Sequence, residues 1–246
     1  MLSIKNLSKT YPGGKKAVDH ISLEVEAGDI YGFIGHNGAG KTTTIKAVTG
    51  IIDFEEGEIS IDGHNIVKEP LEAKRITAFL PDNPDLYDQL TGIQYLNFIS
   101  DIFEIDSKER EKRIKEYADA FELTGDLGNL ISSYSHGMKQ KLALISALIH
   151  KPRLLVLDEP FVGLDPESSI TLKRYMHELC DQGSAIFFST HVLDTAEKLC
   201  NKIAIIKEGR IIDSGKIEDL THGDSLEDVF MEAVVDDDKE IRRIAE

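Results

Sequence analysis

The sequence predicts an α/β protein whose core is a mixed or largely parallel sheet, with an antiparallel β subdomain at the N-terminus and an inserted α-helical subdomain. Three patterns support this fold class. Strand-like segments with Asp-Gly and Gly-Gly turns fill the first part of the chain, as in "LSIKNL", "ISLEVEAGD" and "GEISIDG". A helical period dominates the middle. Short apolar runs separated by helical stretches follow residue 150, as in a parallel sheet.

The individual elements follow in chain order. The apolar run "DIYGFIG" predicts a buried strand that enters a loop, and a helix follows over "TTTIKAVTG". In the middle, apolar residues at helical spacing predict an amphipathic helix opened by Asp106 or Ser107; they are Ile114, Tyr117, Ala118 and Phe121. We expect a helical subdomain at about 88–150. The runs "RLLVLDEP", "SAIFFST" and "NKIAIIK" predict strands, and "KEGR" predicts a hairpin turn into "IIDSG".

The domain division follows from these elements. We assign residues 1–220 to the main domain and residues 221–246 to a short C-terminal extension. Its end, "VVDDDKEIRRIAE", is charged, and we expect a solvated, partly frayed tail there.

Composition limits the possible functions. The chain has 246 residues, 41% of them apolar, which is enough for a substantial core, and a formal net charge of −16. A general nucleic-acid surface would need a basic patch, so we expect no nucleic-acid partner. The N-terminus has no apolar signal core, and no stretch of the sequence reaches the ~18 apolar residues of a membrane span. We therefore expect a cytoplasmic protein, which another protein would have to hold at any membrane where it works.

A phosphate-binding loop lies between the predicted strand and helix. The segment "GHNGAGKTT" matches G-x-x-x-x-G-K-[ST] in the strand–loop–helix context that the motif requires. Its residues are Gly35, His36, Asn37, Gly38, Ala39, Gly40, Lys41, Thr42 and Thr43. The glycines allow backbone N–H groups to approach an anion, the lysine reaches the terminal phosphates, and the Thr42 hydroxyl can ligate Mg²⁺.

Two carboxylates end the apolar strand "LLVLDEP". Asp158 is placed to hold Mg²⁺, and Glu159 to orient or deprotonate a water beside the γ-phosphate. Together with the phosphate loop, these residues predict a P-loop nucleotide hydrolase. Nucleotide kinases, helicases and signalling GTPases remain alternatives at this point. The absence of an Asn-Lys-x-Asp guanine reader argues against GTPases, and the absence of an acceptor pocket or Arg-rich lid argues against small kinases.

A second anion site is predicted at "YSHGMKQKLALISAL". Ser135 and Gly137 precede a long apolar helix, whose N-terminal N–H groups and positive dipole end favour an anion. One domain with two phosphate sites calls for an explanation beyond a single bound nucleotide.

The remaining motifs identify a family resemblance. The block "YSHGMKQKLALISALIHKPRLLVLDEPFVGLDP" resembles the signature, Walker B and D-loop of ABC-type ATPases, and "FFSTHVLDTAEKLCNKIAIIKEGRIIDSG" resembles their switch-histidine segment. The resemblance runs from about Leu2 to Gly215 in the family's order and spacing. It is closest to single-cassette ATP-binding subunits of bacterial exporters, in which "SLEDVFMEAV" also has counterparts.

The resemblance implies how the two anion sites work together. In this family two cassettes pack head to tail, and each ATP lies between the P-loop of one subunit and the signature of the other. The signature residues Ser135, His136, Gly137 and Met138 would therefore act on ATP held by a partner subunit. Asp165 of the D-loop would help the two subunits sense each other.

The family roles of the other residues follow from the same resemblance. Tyr11, with Val18, would stack on adenine, and the choice of ATP over GTP rests on the family. His191 would contact the γ-phosphate and hold Glu159 and water in place. The metal ligands for Mg²⁺ would be Thr42, Asp158 and Asp82.

The sequence departs from the family pattern at several positions. Asp82 stands where the family usually has Gln, so it can only accept hydrogen bonds from water as a carboxylate. His136 and Met138 replace the usual Gly and Gln of the signature. His36 is unusual in the P-loop, and we expect its side chain to point away from phosphate.

The implied partners are a second ATP-binding subunit, in a homodimer or heterodimer, and an integral membrane transporter subunit that holds the chain at the inner face of the cell membrane. The transported substrate is chosen by that subunit, and export over import rests on overall resemblance. Of the large apolar residues Tyr87, Leu90, Tyr95 and Phe98, we expect most to belong to the core of the helical subdomain and some to form part of the docking surface.

Two other function classes are weighed against transport. Chromosome and repair ATPases carry long coiled-coil insertions, whereas this chain has only about a hundred residues between P-loop and signature. Translation-linked ATPases carry two cassettes in one chain, and this chain has one. A purely regulatory binding module would not need both Glu159 and His191.

Overall fold

The computed structural model of the chain describes the backbone of residues 1–245 and the side chains of residues 1–235. The described strands are β1 (Leu2–Thr10), β2 (Lys16–Val25), β3 (Ile30–Ile34), β4 (Glu56–Ile61), β5 (His64–Asn65), β6 (Thr77–Leu80), β7 (Leu154–Asp158), β8 (Ala185–Thr190), β9 (Lys202–Lys207) and β10 (Arg210–Lys216).

The α-helices are α1 (Lys41–Val48), α2 (Pro70–Arg75), α3 (Gly92–Ile102), α4 (Ser107–Ala120), α5 (His136–Leu148), α6 (Pro166–Asp181), α7 (Leu193–Leu199), α8 (Ile217–Thr221) and α9 (Leu226–Ala245). Two 3₁₀ helices, Thr124–Asp126 and Ile131–Ser133, connect α4 to α5. As expected, Asp106 caps α4, accepting hydrogen bonds from the backbone N–H groups of Lys108 and Glu109.

Two sheets form the framework. The N-terminal sheet is antiparallel, with strand order β2-β1-β4-β5, and the central sheet has the order β10-β9-β3-β8-β7-β6. In the central sheet, β6, β7, β8, β3 and β9 run parallel, and only the edge strand β10 pairs antiparallel. This arrangement confirms the predicted fold class.

The central sheet is covered on both faces because alternate residues of its strands point to opposite sides. Leu154 and Val156 of β7 pack towards the N-terminal sheet and α1, whereas Leu155 and Leu157 pack against the helices on the other face. All four side chains are fully buried. This two-sided burial explains why the strand reads as a continuous apolar run.

Two differences from the sequence analysis concern weakly patterned segments. The elements α2 and β6 were not predicted, because each has at most six residues, too few for a clear period. The backbone of the charged C-terminal segment forms the helix α9, which the sequence analysis did not predict, and the solvated, partly frayed tail stays a prediction. The charged side chains after Val235 lie outside the described residues, and the domain division at residue 220 stays a prediction.

Among the residues that the structure describes, no helix combines the length and apolar character needed to cross a membrane.

Candidate functional site

Four neighbouring strands bring the predicted site residues to one edge of the central sheet. The strands β3, β8, β7 and β6 are adjacent and parallel, so their carboxyl ends lie side by side. The phosphate loop follows β3, His191 follows β8, Glu159 follows β7 and Asp82 follows β6. Ligands of open α/β sheets bind beyond this edge, where the loops separate and leave a crevice.

The phosphate loop has the conformation that its glycines require. Gly40 has a φ of +115°, and a Cβ there would lie 2.5 Å from the carbonyl oxygen of Ala17. A Cβ on Gly35 would lie 2.4 Å from the carbonyl oxygen of Ile206. No side chain fits at either position, so both glycines are needed for the backbone to pass this closely.

Lys41 is held inside the loop. Its Nζ donates hydrogen bonds to the carbonyl oxygens of Gly35, at 2.6 Å, and His36, at 3.3 Å. The residue is only 6% exposed. The ammonium group is therefore fixed at the N-terminus of α1, where free N–H groups and the helix dipole also favour an anion.

Glu159 lies between two other functional side chains. Its Oε1 is 2.9 Å from Nδ1 of His191 and 3.5 Å from Nζ of Lys41. The residue has a φ of +48°, in the left-handed region, as have Glu104, Glu122 and Glu208 elsewhere in the chain. The two contacts, rather than the backbone conformation, distinguish this carboxylate, because they hold it next to the phosphate loop.

Ser189 supports both carboxylates, a role that the sequence analysis missed. Its Oγ accepts a hydrogen bond from the backbone N–H of Glu159, at 3.1 Å, and donates one to Asp158. Ser189 is fully buried on β8, opposite Asp158 on β7. The "STH" segment carried the signal, since a polar residue at the buried end of an apolar strand has to be paired.

A cavity of about 250 Å³ gathers most of the predicted nucleotide-site residues. Its lining is Tyr11, Lys15, Ala17, Asn37, Gly38, Gly40, Lys41, Thr42, Thr43, Asp82, Asp158 and Glu159. Lys15 and Ala17 were not predicted. The hydroxyl of Tyr11 lies 3.5 Å from that of Thr43, which places the half-exposed tyrosine ring at the cavity mouth.

The structure places Val18 differently from the expected adenine contact. Val18 is fully buried in the core between the two sheets, so no face of it can stack on a base. Ala17 precedes it on β2 and lines the cavity instead. Because successive strand residues point to opposite sides, the residue of β2 that faces the cavity is Ala17 rather than Val18.

The oxygen donors in the cavity fit Mg²⁺. The Thr42 hydroxyl and the carboxylates of Asp82 and Asp158 line the same space, and hard cations prefer such ligands. No cluster of three or more His, Cys, Asp or Glu side chains suited to a metal occurs within the described residues. Mg²⁺ usually takes one or two carboxylates and completes its shell with phosphate and water.

The role of Asp82 can be tested through metal dependence. If Asp82 ligates Mg²⁺, Asp82→Ala should raise the Mg²⁺ concentration for half-maximal ATP hydrolysis by roughly 10-fold, as loss of a metal-site partner does. Asp85→Ala is the matched control, because Asp85 is also exposed but does not line the cavity. Unchanged Mg²⁺ dependence in Asp82→Ala and Asp82→Gln would place Asp82 outside the metal shell.

The signature residues lie outside this cavity. Ser135 is the N-cap of α5, and its Oγ accepts a hydrogen bond from the backbone N–H of Met138, at 3.3 Å. The ring of His136 lies against the loop at Gly163, so closely that a Cβ on Gly163 would be 3.0 Å from the ring. No signature residue lines the cavity described above. The two predicted anion sites of the chain are therefore separate.

Asp165 joins the D-loop to the signature helix. It caps α6 through the backbone N–H of Ser168 and pairs with Lys141 of α5, with Oδ2 2.8 Å from Nζ. Hydrogen bonding to Lys141 is the main reason that the pKa of the Asp165 carboxyl is held well below its usual range.

His36 points away from the cavity, as expected. Its ring packs edge-on against Phe230 of α9, with centroids 5.0 Å apart and planes at 75°, and it does not line the cavity.

Comparison with known proteins gives consistent matches. Residues 18–162 match the family model described as ABC transporter. The ABC transporter ATP-binding protein NatA of Bacillus subtilis is 31% identical over 242 residues, covering 96% of this chain and 98% of that protein. The bacitracin transport ATP-binding protein BcrA of Bacillus licheniformis is 38% identical, covering 87% of this chain and 69% of that protein.

The fold also matches solved structures. A structure described as the ATP binding subunit of an ABC transporter superimposes with a TM-score of 0.91 at 33% identity, covering 95% of this chain and 99% of that chain.

Proposed function

Because the chain belongs to the ABC transporter family, as one of its ATP-binding ATPases, we propose that it energises export through a separate membrane subunit, by ATP-driven closure of two cassettes. The observation that carries the hydrolytic part of this proposal is the position of Glu159, whose Oε1 lies near both Lys41 and His191 at the phosphate loop. A protein that only binds a nucleotide needs the phosphate loop, but it does not need a carboxylate held between Lys41 and His191. Export through a membrane subunit is proposed from the family and its transport relatives. Phosphate release from ATP by the purified chain, measured with and without Mg²⁺, tests the hydrolytic part.

We propose a role for each catalytic group. Glu159 is the general base that orients the attacking water, and His191 holds its carboxylate and reaches towards the γ-phosphate. Lys41 is aimed at the β- and γ-phosphates by the loop carbonyls. Bound Mg²⁺, held by Thr42, Asp158 and Asp82, would neutralise charge on the phosphates. Tyr11 and Ala17 offer the surface for the base.

A second cassette would complete the site. The cavity has no signature residue in its lining, while the N-terminus of α5 carries Ser135 and the free N–H groups of the helix elsewhere on the surface. Such a terminus favours an anion. We propose that it binds the γ-phosphate of ATP held by a partner cassette, and that Asp165, near the same helix, reports on that partner.

The membrane subunit would dock on exposed aromatic residues of the helical region. Tyr87 is 55% and Phe98 42% exposed, and their rings meet edge-on with centroids 5.7 Å apart. Ile102, on the same helix as Phe98, is 57% exposed. Exposed apolar clusters of this kind are typical of surfaces that bind an apolar helix of a partner protein.

This surface is joined to the signature by main-chain hydrogen bonds. The N–H of Ile131 donates to the carbonyl of Leu90 at 2.9 Å, and the N–H of Ser132 donates to that of Asp88 at 3.1 Å. Asp88 also pairs with Lys139 of α5 at 2.7 Å. Movement of the docking surface and of α5 would therefore be coupled.

Replacing both aromatic residues should weaken docking. We expect Tyr87→Ala with Phe98→Ala to reduce binding to the membrane subunit at least about 10-fold, since buried aromatic anchors dominate interfaces. Hydrolysis by the isolated chain should change little, because neither residue lines the nucleotide cavity. Binding is measured by co-sedimentation of the chain with membranes that contain the hydrophobic protein encoded by the neighbouring reading frame.

The control for docking is Val67→Ala, which removes an apolar group that is even more exposed than Tyr87 and Phe98 but lies outside the aromatic cluster. Equal binding by the double variant and the control would place the docking surface elsewhere. A neighbouring frame that encodes no membrane protein would count against the transport proposal itself. The proposed location, peripheral on the inner face of the cell membrane, depends on this partner.

A further inference from the structure

The C-terminal helix α9 is packed onto the core beside the phosphate loop. Leu226 is fully buried and Phe230 is 5% exposed, in a cluster with Ile34, the last residue of β3, and Ile205 of β9. The backbone N–H of Leu226 also donates to the carboxylate of Glu197 on α7, at 3.2 Å. The helix therefore touches the strand that leads into the phosphate loop and the helix that follows His191.

One residue of α9 contacts the phosphate loop itself. The ring of Phe230 meets the ring of His36 edge-on, with centroids 5.0 Å apart. His36 is otherwise an exposed residue at the second position of the loop. An edge-on aromatic pair of this kind contributes more than the burial of its area alone.

The backbone of the same histidine holds the catalytic lysine. The carbonyl oxygens of Gly35 and His36 are the two hydrogen-bond acceptors of Lys41 Nζ. The direction of those carbonyls depends on the backbone of the first two loop residues. A contact that fixes the His36 side chain therefore restricts the direction in which Lys41 points.

We propose that Phe230 is a positioning residue of the nucleotide site, which acts through His36 to fix the backbone that aims Lys41 at the phosphates. The inference rests on the proposed nucleotide site. It gives α9 a function in ATP binding beyond covering the core. Because Lys41 contacts the phosphates in the ground state as well as during reaction, the effect is on nucleotide affinity and KM rather than on kcat.

The test compares two substitutions on the same helix face. Phe230→Leu keeps an apolar side chain but removes the ring, and Leu226→Ala leaves a cavity in the same cluster without touching His36. We expect Phe230→Leu to raise the Kd of a fluorescent ATP analogue, and the KM for ATP, by about 2- to 10-fold, the range of one aromatic pair. In Leu226→Ala, thermal stability should fall while the Kd stays within about twofold.

Two further variants separate positioning from general packing. Phe230→Tyr retains the ring and should restore the affinity of the wild type. In a His36→Ala background, Phe230→Leu should cause no further weakening, since the contact is already lost and the double-mutant cycle then shows full coupling.

Two outcomes would overturn the inference. The first is an unchanged Kd in Phe230→Leu with wild-type binding intact. The second is additive effects of the His36 and Phe230 substitutions, which would mean that the rings act independently. Failure of the wild type itself to bind the analogue would instead count against the proposed function, so the two failures can be told apart.

Discussion

Glu159→Gln should lower the rate of ATP hydrolysis at least 100-fold while leaving ATP binding intact. Glutamine has nearly the same shape but cannot accept a proton from water, so the general base is lost. The amide can still meet His191 and lie near Lys41, which contact Glu159 Oε1 at 2.9 and 3.5 Å. Phosphate release at saturating ATP and the Kd of ATP, measured on the same sample, separate catalysis from binding.

The chain offers a matched control for this substitution. Glu122 also has a left-handed backbone, with a φ of +54°, but it is exposed at the end of α4, outside the nucleotide cavity. Glu122→Gln makes the same chemical change in a similar backbone conformation, so its activity should match the wild type. Hydrolysis by Glu159→Gln at a rate near that of the wild type would remove Glu159 from the role of base.

Mixing two inactive variants should restore activity if the signature acts on the ATP of a partner. Lys41→Ala destroys the phosphate loop, and Ser135→Arg blocks the N-terminus of α5. Neither variant alone forms an intact composite site when it pairs with itself. In a mixed dimer one site collects both defects and the other collects none, so one site regains its preorganised γ-phosphate donors.

The expected recovery of ATPase activity is large compared with the residual activity of either variant alone. Random pairing at equal amounts makes half of the dimers mixed, each with one of two sites intact, so activity should reach roughly a quarter of the wild type if the sites are independent. The mixing curve should peak near equal amounts. Mixing Lys41→Ala with the double variant Lys41→Ala, Ser135→Arg is the control, because no arrangement of these chains contains an intact phosphate loop.

The complementation experiment also needs an independent measure of pairing. Labelled subunits that exchange on mixing, with an active wild type, establish that mixed dimers form. No gain at any ratio under these conditions would mean that the signature acts within its own chain. If the chain pairs only with a different cassette, the two substitutions belong on opposite partners within the membrane complex.

Local patterns made much of the site predictable. The phosphate loop needs glycines where the backbone passes within 2.4 to 2.5 Å of a would-be Cβ, as at Gly35 and Gly40, and such steric demands leave a fixed spacing in the sequence. Asp158 and Glu159 are visible because they end an apolar strand. Parallel strands then bring their carboxyl ends together, so these motifs could be placed near one another before the structure was known.

Contacts between segments that are far apart in the sequence leave no local sequence pattern. Ser189 supports both carboxylates from 30 residues away from Glu159, and its pairing depends on the register of β7 against β8. The sequence analysis assigned the adenine contact to Val18, but Ala17 lines the cavity, because only the fold shows which face of β2 turns towards it. The helix α9 reads locally as a charged segment, and only its packing shows that Phe230 reaches His36.

The fold class, the phosphate loop and the acidic end of β7 were thus predictable from the sequence, because they depend on hydrophobic period and backbone sterics over a few neighbouring residues. Tertiary structure alone decided the left-handed backbone of Glu159, its distances to Lys41 and His191, and the separation of the signature from the nucleotide cavity. The Glu159 distances arise because the carboxyl ends of β3, β8 and β7 lie side by side in the sheet, so they depend on the pairing of segments that are far apart in the sequence.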